Sequence, residues 1–134
     1  MTLSKHVMLL FNNDLGDDNM VKSKDDMRCV IKSNLCGGKG DLSQLHLLEP
    51  EETGDRVSMF CEFTFNPGDE IGLHQHKHNA EVFYILEGDF ELVDNAEKKK
   101  VSKGSVVFAS DGDYHSIRYI GNEKGIIMAI LFPN

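Results

Sequence analysis

The sequence predicts an all-β chain, a sandwich or barrel of antiparallel strands with little helix. Three observations carry this. Glycine and Asn/Asp punctuation recurs about every eight to twelve residues, and the segments between the marks are short and rich in β-branched and aromatic residues. No segment longer than about ten residues keeps a helical period. Many short strands at even spacing are the signature of a two-sheet or closed β architecture.

Taken in order, residues Asn13–Lys24 are compatible with a short helical turn, and "MRCVIKSNL" (27–35) with a strand. "LCGGKGDLSQLHLL" then passes from a glycine loop into a second such segment. Its "GGKG" lacks the spacing and the Ser/Thr of a phosphate-cradling loop and reads as a plain turn. "VSMFCEFTF" (57–65) puts Val57, Met59, Cys61, Phe63 and Phe65 on one face, with only Phe60 breaking the alternation. Strands are expected at 81–86, 89–94, 105–110, 115–120 and 125–132. The turns between them carry "EG", "DNAEK", "SKG", "SDGD" and "GNEKG". Lys98–Lys100 reads as a solvated hairpin end. With no internal repeat and no change of composition, the 134 residues are expected to form one domain: an N-terminal extension or strands over 1–40 and a conserved barrel over 57–134.

Composition narrows the function classes. The formal charge is −8, from 22 acidic against 14 basic residues, which disfavours nucleic acid and anionic lipid as partners. The three cysteines, Cys29, Cys36 and Cys61, have no CxxC spacing and imply a reducing compartment, the cytoplasm. "HVMLLF" has too short an apolar core for a signal peptide, and no apolar run approaches a membrane span.

The chemistry concentrates in "GDEIGLHQHKHNAEVFYILEG" (68–88), with histidines at 74, 76 and 78 and a glutamate at 81. In a strand, alternate side chains share a face, and neighbours on that face lie about 6.7 Å apart, near enough for two imidazoles to converge on one ion. Gly68, His74, His76, Glu81 and Gly88 reproduce the pattern G-x5-H-x-H-x3-4-E-x6-G. Sixteen residues on, "GSVVFASDGDYHSIRY" presents Gly104, Gly112 and His115 in the pattern G-x5-P-x-G-x2-H-x3-N, with Ser110 for the proline and Tyr119 for the asparagine. Together these motifs resemble those of the cupin superfamily, and the resemblance covers Val57 to Leu131. It implies an antiparallel double-stranded β-helix, or jelly-roll barrel, and a divalent metal held by His74, His76, Glu81 and His115. Three neutral imidazoles and a carboxylate suit Mn, Fe, Co, Ni or Zn and leave positions open for water or a ligand. Acid is expected to release the ion around and below about pH 6 as the imidazoles protonate. His78 is expected on the loop at the rim; His6 and His46 default to structural or surface roles, and Cys61 to a small buried hydrophobe.

Inward parity from Glu81 and His115 predicts a pocket lined by Phe83, Ile85, Ile117 and Tyr119, with Tyr119 as a polar handle. Oxalate-processing cupins resemble this chain but carry an arginine three residues before the first histidine, where Ile71 stands here. Of Arg28, Arg56 and Arg118, the last is expected to face away from His115, which argues against a bidentate clamp for a dicarboxylate. Two functions follow from the resemblance. One is a metalloenzyme of the oxygenase, isomerase or lyase class acting on a small polar metabolite. The other is a non-catalytic module that binds or senses such a molecule. Small cupins commonly pair, so a homodimer is expected.

Overall fold

In the computed structural model, which describes residues 20–134, ten strands follow one another. They are β1 (Arg28–Ser33), β2 (Asp41–Leu48), β3 (Met59–Phe65), β4 (Glu70–Gln75), β5 (Asn79–Glu87), β6 (Phe90–Asp94), β7 (Glu97–Val101), β8 (Val106–Ala109), β9 (Tyr114–Tyr119) and β10 (Gly125–Pro133). Among the described residues helix is confined to three short 3-10 turns, at Lys24–Asp26, Leu35–Gly37 and Pro50–Thr53. The helical turn expected over Asn13–Lys24 falls mostly outside the described residues, and His6 and "HVMLLF" wholly so. Among the described residues no helix is long and apolar enough to cross a membrane.

All the strand pairs are antiparallel and form two sheets. One has the order β1-β2-β3-β10-β5-β8, the other β4-β9-β6-β7. Alternation sends Cys61, Phe63 and Phe65 of β3 inward, as expected, against Phe83 and Ile85 of β5 and Ile127 and Ala129 of β10. Ile71, Leu92, Phe90 and Ile117 close the same core from the second sheet. The fold is thus the antiparallel jelly roll.

One placement differs from expectation. Lys98–Lys100 is not a hairpin end but part of β7, the edge of the smaller sheet. The reversal is made by Asn95 and Ala96, whose positive φ angles (47° and 75°) suit a tight hairpin. Lysines along an exposed edge discourage pairing with another chain. The two N-terminal segments expected as strands form β1 and β2. β1 and β2 extend the larger sheet, and a bridge from Lys39 to Glu70 ties their connecting loop to the smaller one.

That loop packs on β4 because residue 72 is glycine. A Cβ there would lie 2.3 Å from the Cys36 carbonyl oxygen and 2.7 Å from the Gly38 nitrogen. Here β4 also carries one extra residue: Ile71 faces Ile117 and His74 faces His115, three steps against two. The bulge lets both Ile71 and His74 point inward while Leu73 is exposed.

Candidate metal centre

The bulge in β4 delivers His74, and the chain continues past the strand to His76, whose backbone N–H donates to the Asp113 carbonyl (2.9 Å). Gly112 N–H returns the bond to the His76 carbonyl (2.7 Å), so the loop before β9 holds this segment in place. At Ser110, where the motif has proline, the turn is fixed instead by the Asp113 carboxylate, which accepts from the Ser110 N–H and hydroxyl (2.9 and 3.0 Å). Glu81 enters from β5 and His115 from β9, both buried, at 6% and 1% exposure.

These four side chains meet. Their ligand atoms all lie within 4.8 Å of one another. His76 Nε2 is 3.0 Å from His115 Nε2 and 3.0 Å from Glu81 Oε1, and His115 Nε2 is 3.1 Å from the same oxygen. His74 Nε2 completes the set at 3.8 Å from Glu81. Ligands at about 2.1 Å from a six-coordinate ion are about 3 Å apart along each edge, so the separations fit a common ion. The outer nitrogens agree: His74 Nδ1 donates to the Gly72 carbonyl (2.7 Å) and His76 Nδ1 to Asn79 Oδ1 (2.9 Å). Each bond leaves the Nε2 lone pair facing inward, the tautomer a metal ligand needs. His115 is oriented by stacking on Phe83, with ring centroids 5.0 Å apart and planes 3° from parallel. The donor set fits a divalent transition ion.

Burial works to raise the Glu81 carboxyl, but hydrogen bonds from His115, His74 and His76 outweigh it and hold it well below the usual carboxylate range. The bond to Glu81 raises His76 above its ordinary value against the effect of burial. Burial opposes the charged form of His74 too, yet contacts with Cys36, Glu81 and the Gly72 carbonyl raise it. Without an ion, the surroundings thus favour the ionised form of Glu81 and the charged forms of His74 and His76.

His74, His76 and Glu81 line a cavity of about 500 Å³, and His115 is buried beside them. Of the four expected lining residues, Phe83 borders this space, but Ile85, Ile117 and Tyr119 do not; they are buried in the core. Parity was right and depth was not. Tyr119 lies four residues beyond His115, about 13 Å along an extended strand, at the opposite end of the barrel. There its ring packs on Phe90 and fills space left by Gly88, Gly121 and Gly125, and its hydroxyl accepts the Glu123 N–H at 3.3 Å. It is not a polar handle for the pocket. His78 is exposed on the turn with φ 60° and stays outside the cluster.

Several lining residues were not anticipated. β1 contributes Arg28, Val30 and Lys32, and β2 contributes Gln44 and His46, so His46 is not a plain surface residue. Cys36 reaches the cavity beside His74. The available signal was the alternation Arg28, Val30, Lys32, but nothing in the sequence tells which face of that strand turns inward. Arg118 points outward as expected, donating to Glu91 at 3.0 Å. Arg28 thus supplies an arginine from a strand remote from the histidine motif.

The family model described as the Cupin domain matches residues 61–131. This chain belongs to the cupin family. Among known cupins and related proteins, it is 34% identical over 99 residues to an oxalate-binding protein of Thermotoga maritima, covering 74% of this chain and 82% of that one. It is 26% identical over 111 residues to a tetracenomycin polyketide synthase protein of Streptomyces glaucescens, covering 83% and 72%. The crystal structure of a predicted oxalate decarboxylase from Thermotoga maritima superposes with a TM-score of 0.82 at 31% identity, covering 86% of this cupin and all of that chain.

Proposed function

We propose that this cupin binds a small anionic metabolite at a divalent metal held by His74, His76, Glu81 and His115, and acts on it as a metalloenzyme of the oxygenase, isomerase or lyase class. The observation that carries this is four convergent ligand atoms, three of them from residues that line a cavity. A bound divalent ion would supply Lewis-acid polarisation of a coordinated oxygen. The chain's own residues do the rest. Gly72 and Asn79 hold two imidazoles in the required tautomer, and Phe83 and Ile71 keep bulk water off the ligand. Arg28 and Lys32 give an otherwise acidic protein a cationic approach. A related oxalate-binding protein supports a carboxylate as the ligand class, and Lys32 and Arg28 put positive charge at the cavity, although the Arg28 guanidinium is itself held bidentately by Glu49.

The same relative favours a second reading, in which the module binds its ligand without turning it over. Metal analysis of untagged protein, then calorimetric titration of oxalate into metal-free and Mn-, Fe-, Co-, Ni- or Zn-loaded samples, tests the shared part. Metal-dependent binding supports both readings, and equal binding with and without metal rejects both. Product formation from a screened carboxylate selects the enzyme.

The chain is further proposed to be a single domain and a cytoplasmic homodimer. Three free cysteines fit a reducing compartment. An apolar row across the outer face of the larger sheet, Phe60, Ile130, Val82 and Phe108, fits a second copy as its cover.

A further inference from the structure

Gln44 stands in the middle of β2 and faces inward, between Val30 of β1 and Phe63 of β3. All three line the cavity, and Gln44 is only 3% exposed. Its amide is half satisfied. Nε2 donates to Met59 Sδ at 3.4 Å and to Cys61 Sγ at 3.6 Å, whereas Oε1 finds no partner among the described residues. Met59 decides which way the amide stands. A thioether sulfur accepts and cannot donate, so turning the amide over would set the carbonyl oxygen against the lone pairs of Met59. Cys61 does not compel the reverse. Burial pushes its thiol up to about 12, and a neutral thiol accepts as well as donates.

A buried amide oxygen without a donor destabilises the fold, and an apolar side chain at this position would remove that cost. The surrounding wall supplies no donor, and the space that Gln44 borders is the cavity. The same wall carries the metal cluster. Glu81 pairs across the sheet with Leu131, and Leu131 with Met59, whose sulfur takes the Gln44 amide. Each of these four residues lines the same cavity. A ligand held at the cluster therefore occupies a space that it shares with Gln44.

The charge of that space selects the kind of donor. Lys32 lines it too, and among the described residues no carboxylate pairs with Lys32. With a divalent ion at the cluster as well, an ammonium group would be repelled by both, whereas a hydroxyl brings a donor without a charge. Fully ionised oxalate has acceptors alone and leaves Oε1 unmet. We propose that Gln44 Oε1 accepts a hydrogen bond from a hydroxyl of the bound ligand, which is thus a hydroxycarboxylate. This rests on the metal-held carboxylate reading above and adds the second functional group of the ligand.

The experiment compares matched acids by calorimetry on the full 134-residue chain loaded with Zn, a diamagnetic ion. The pairs are glycolate with acetate, β-hydroxypropionate with propionate, and γ-hydroxybutyrate with butyrate; glycine, β-alanine and γ-aminobutyrate are the amine counterparts. An α-hydroxyl can also chelate the ion, so the quantity that decides is the change in hydroxyl advantage between wild type and Gln44→Met. That advantage is expected to fall by about tenfold for at least one pair, while the plain acids and the metal content keep their wild-type values. An advantage unchanged in all three pairs overturns the proposal, as does a loss confined to the amines. A second measurement needs no variant. The sequence has two glutamines, Gln44 and Gln75, so glutamine isotopically labelled at the side-chain carbonyl carbon gives two resonances. The Gln44 resonance is expected to move further with a hydroxy acid than with its plain partner. Gln75, whose amide donates to the Gly112 carbonyl at 3.2 Å, is the fixed reference. Equal movement with both members of every pair overturns the proposal whether or not the variant folds. If no acid binds the Zn-loaded wild type, the metal-held reading fails and this proposal with it. If plain acids bind and the hydroxyl adds nothing, only this proposal fails.

Discussion

His76 and His78 are two positions apart and chemically identical, yet only one is placed to bind metal. His76 is buried and faces Glu81, whereas His78 is exposed on a turn. His76→Ala is therefore expected to lose the ion and His78→Ala to keep it, by elemental analysis; equal retention rejects the ligand assignment. Asn79 works one shell out, accepting the His76 Nδ1 proton. Asn79→Ala is expected to weaken metal binding by about 10–100-fold without abolishing it, measured by competition with a chelator. Protonation makes a further demand. Raised imidazoles stabilise the metal-free fold below their ordinary value of 6.5, and that contribution is lost as pH rises through the raised folded values. The depressed Glu81 contributes above its ordinary 4.5, a contribution lost on acidification. The metal-free protein thus gains most from this cluster between those values. An ion requires neutral imidazoles, so the raised His74 and His76 are expected to give up protons when it binds, and acid release is expected to set in at higher pH than for unperturbed histidines. Calorimetry in buffers of different ionisation heat is expected to show that release; none at pH 7 would mean the histidines are already neutral. Inside the cavity wall, the Gln44 amide donates to the sulfurs of Met59 (3.4 Å) and Cys61 (3.6 Å), while its Oε1 has no partner among the described residues. Gln44→Met is expected to leave stability unchanged or raise it by about 1 kcal/mol in denaturant melts.

At the scale of elements, β4 shows how a one-residue irregularity creates a site. Without the bulge between Ile71 and His74, the histidines would exchange faces with their neighbours. Gly72 permits the bulge to sit under the Cys36–Gly38 backbone. Gly72→Ala forces a methyl against main-chain atoms that cannot swing away, so a loss of about 1–3 kcal/mol is expected, with weakened metal binding. An unaltered melt and metal content would show that the loop gives way freely. These details also mark what sequence reasoning reaches. Period-two alternation exposed β3, β5, β9 and β10, and the fixed motif spacings exposed the four side chains that converge, because such a set is written in local intervals. The cavity wall was not legible in the same way. Alternation gives a residue's face but not its depth along a barrel, which is why Ile85, Ile117 and Tyr119 went to the core. Arg28 and Lys32 were missed because their inward position depends on pairing with β2, a contact that no local interval encodes.

For the whole molecule, the outer face of the larger sheet is the unresolved surface. Phe108 is 61% exposed, and it continues the row through Val82 and Ile130 to Phe60. If a second copy covers this row, Phe108→Glu is expected to convert the dimer to a species near 15.1 kDa by light scattering, with the melt little changed because the side chain leaves no core cavity. A wild-type mass already at that value rejects the dimer. β1, by contrast, is hydrogen-bonded among the described residues only to β2, and five of its six residues are exposed. Little apolar burial holds it, so it belongs to the least protected part of the sheet. Its backbone amides are expected to exchange with deuterated solvent well before those of β10, which pairs on both sides. A ligand that touched Arg28 and Lys32 would need this strand docked, and part of its binding energy would go into suppressing local opening. The cavity's outer wall is consequently a reporter: slowed isotope exchange in residues 28–33 would reveal an occupant of the rim even when no chemical change accompanies it.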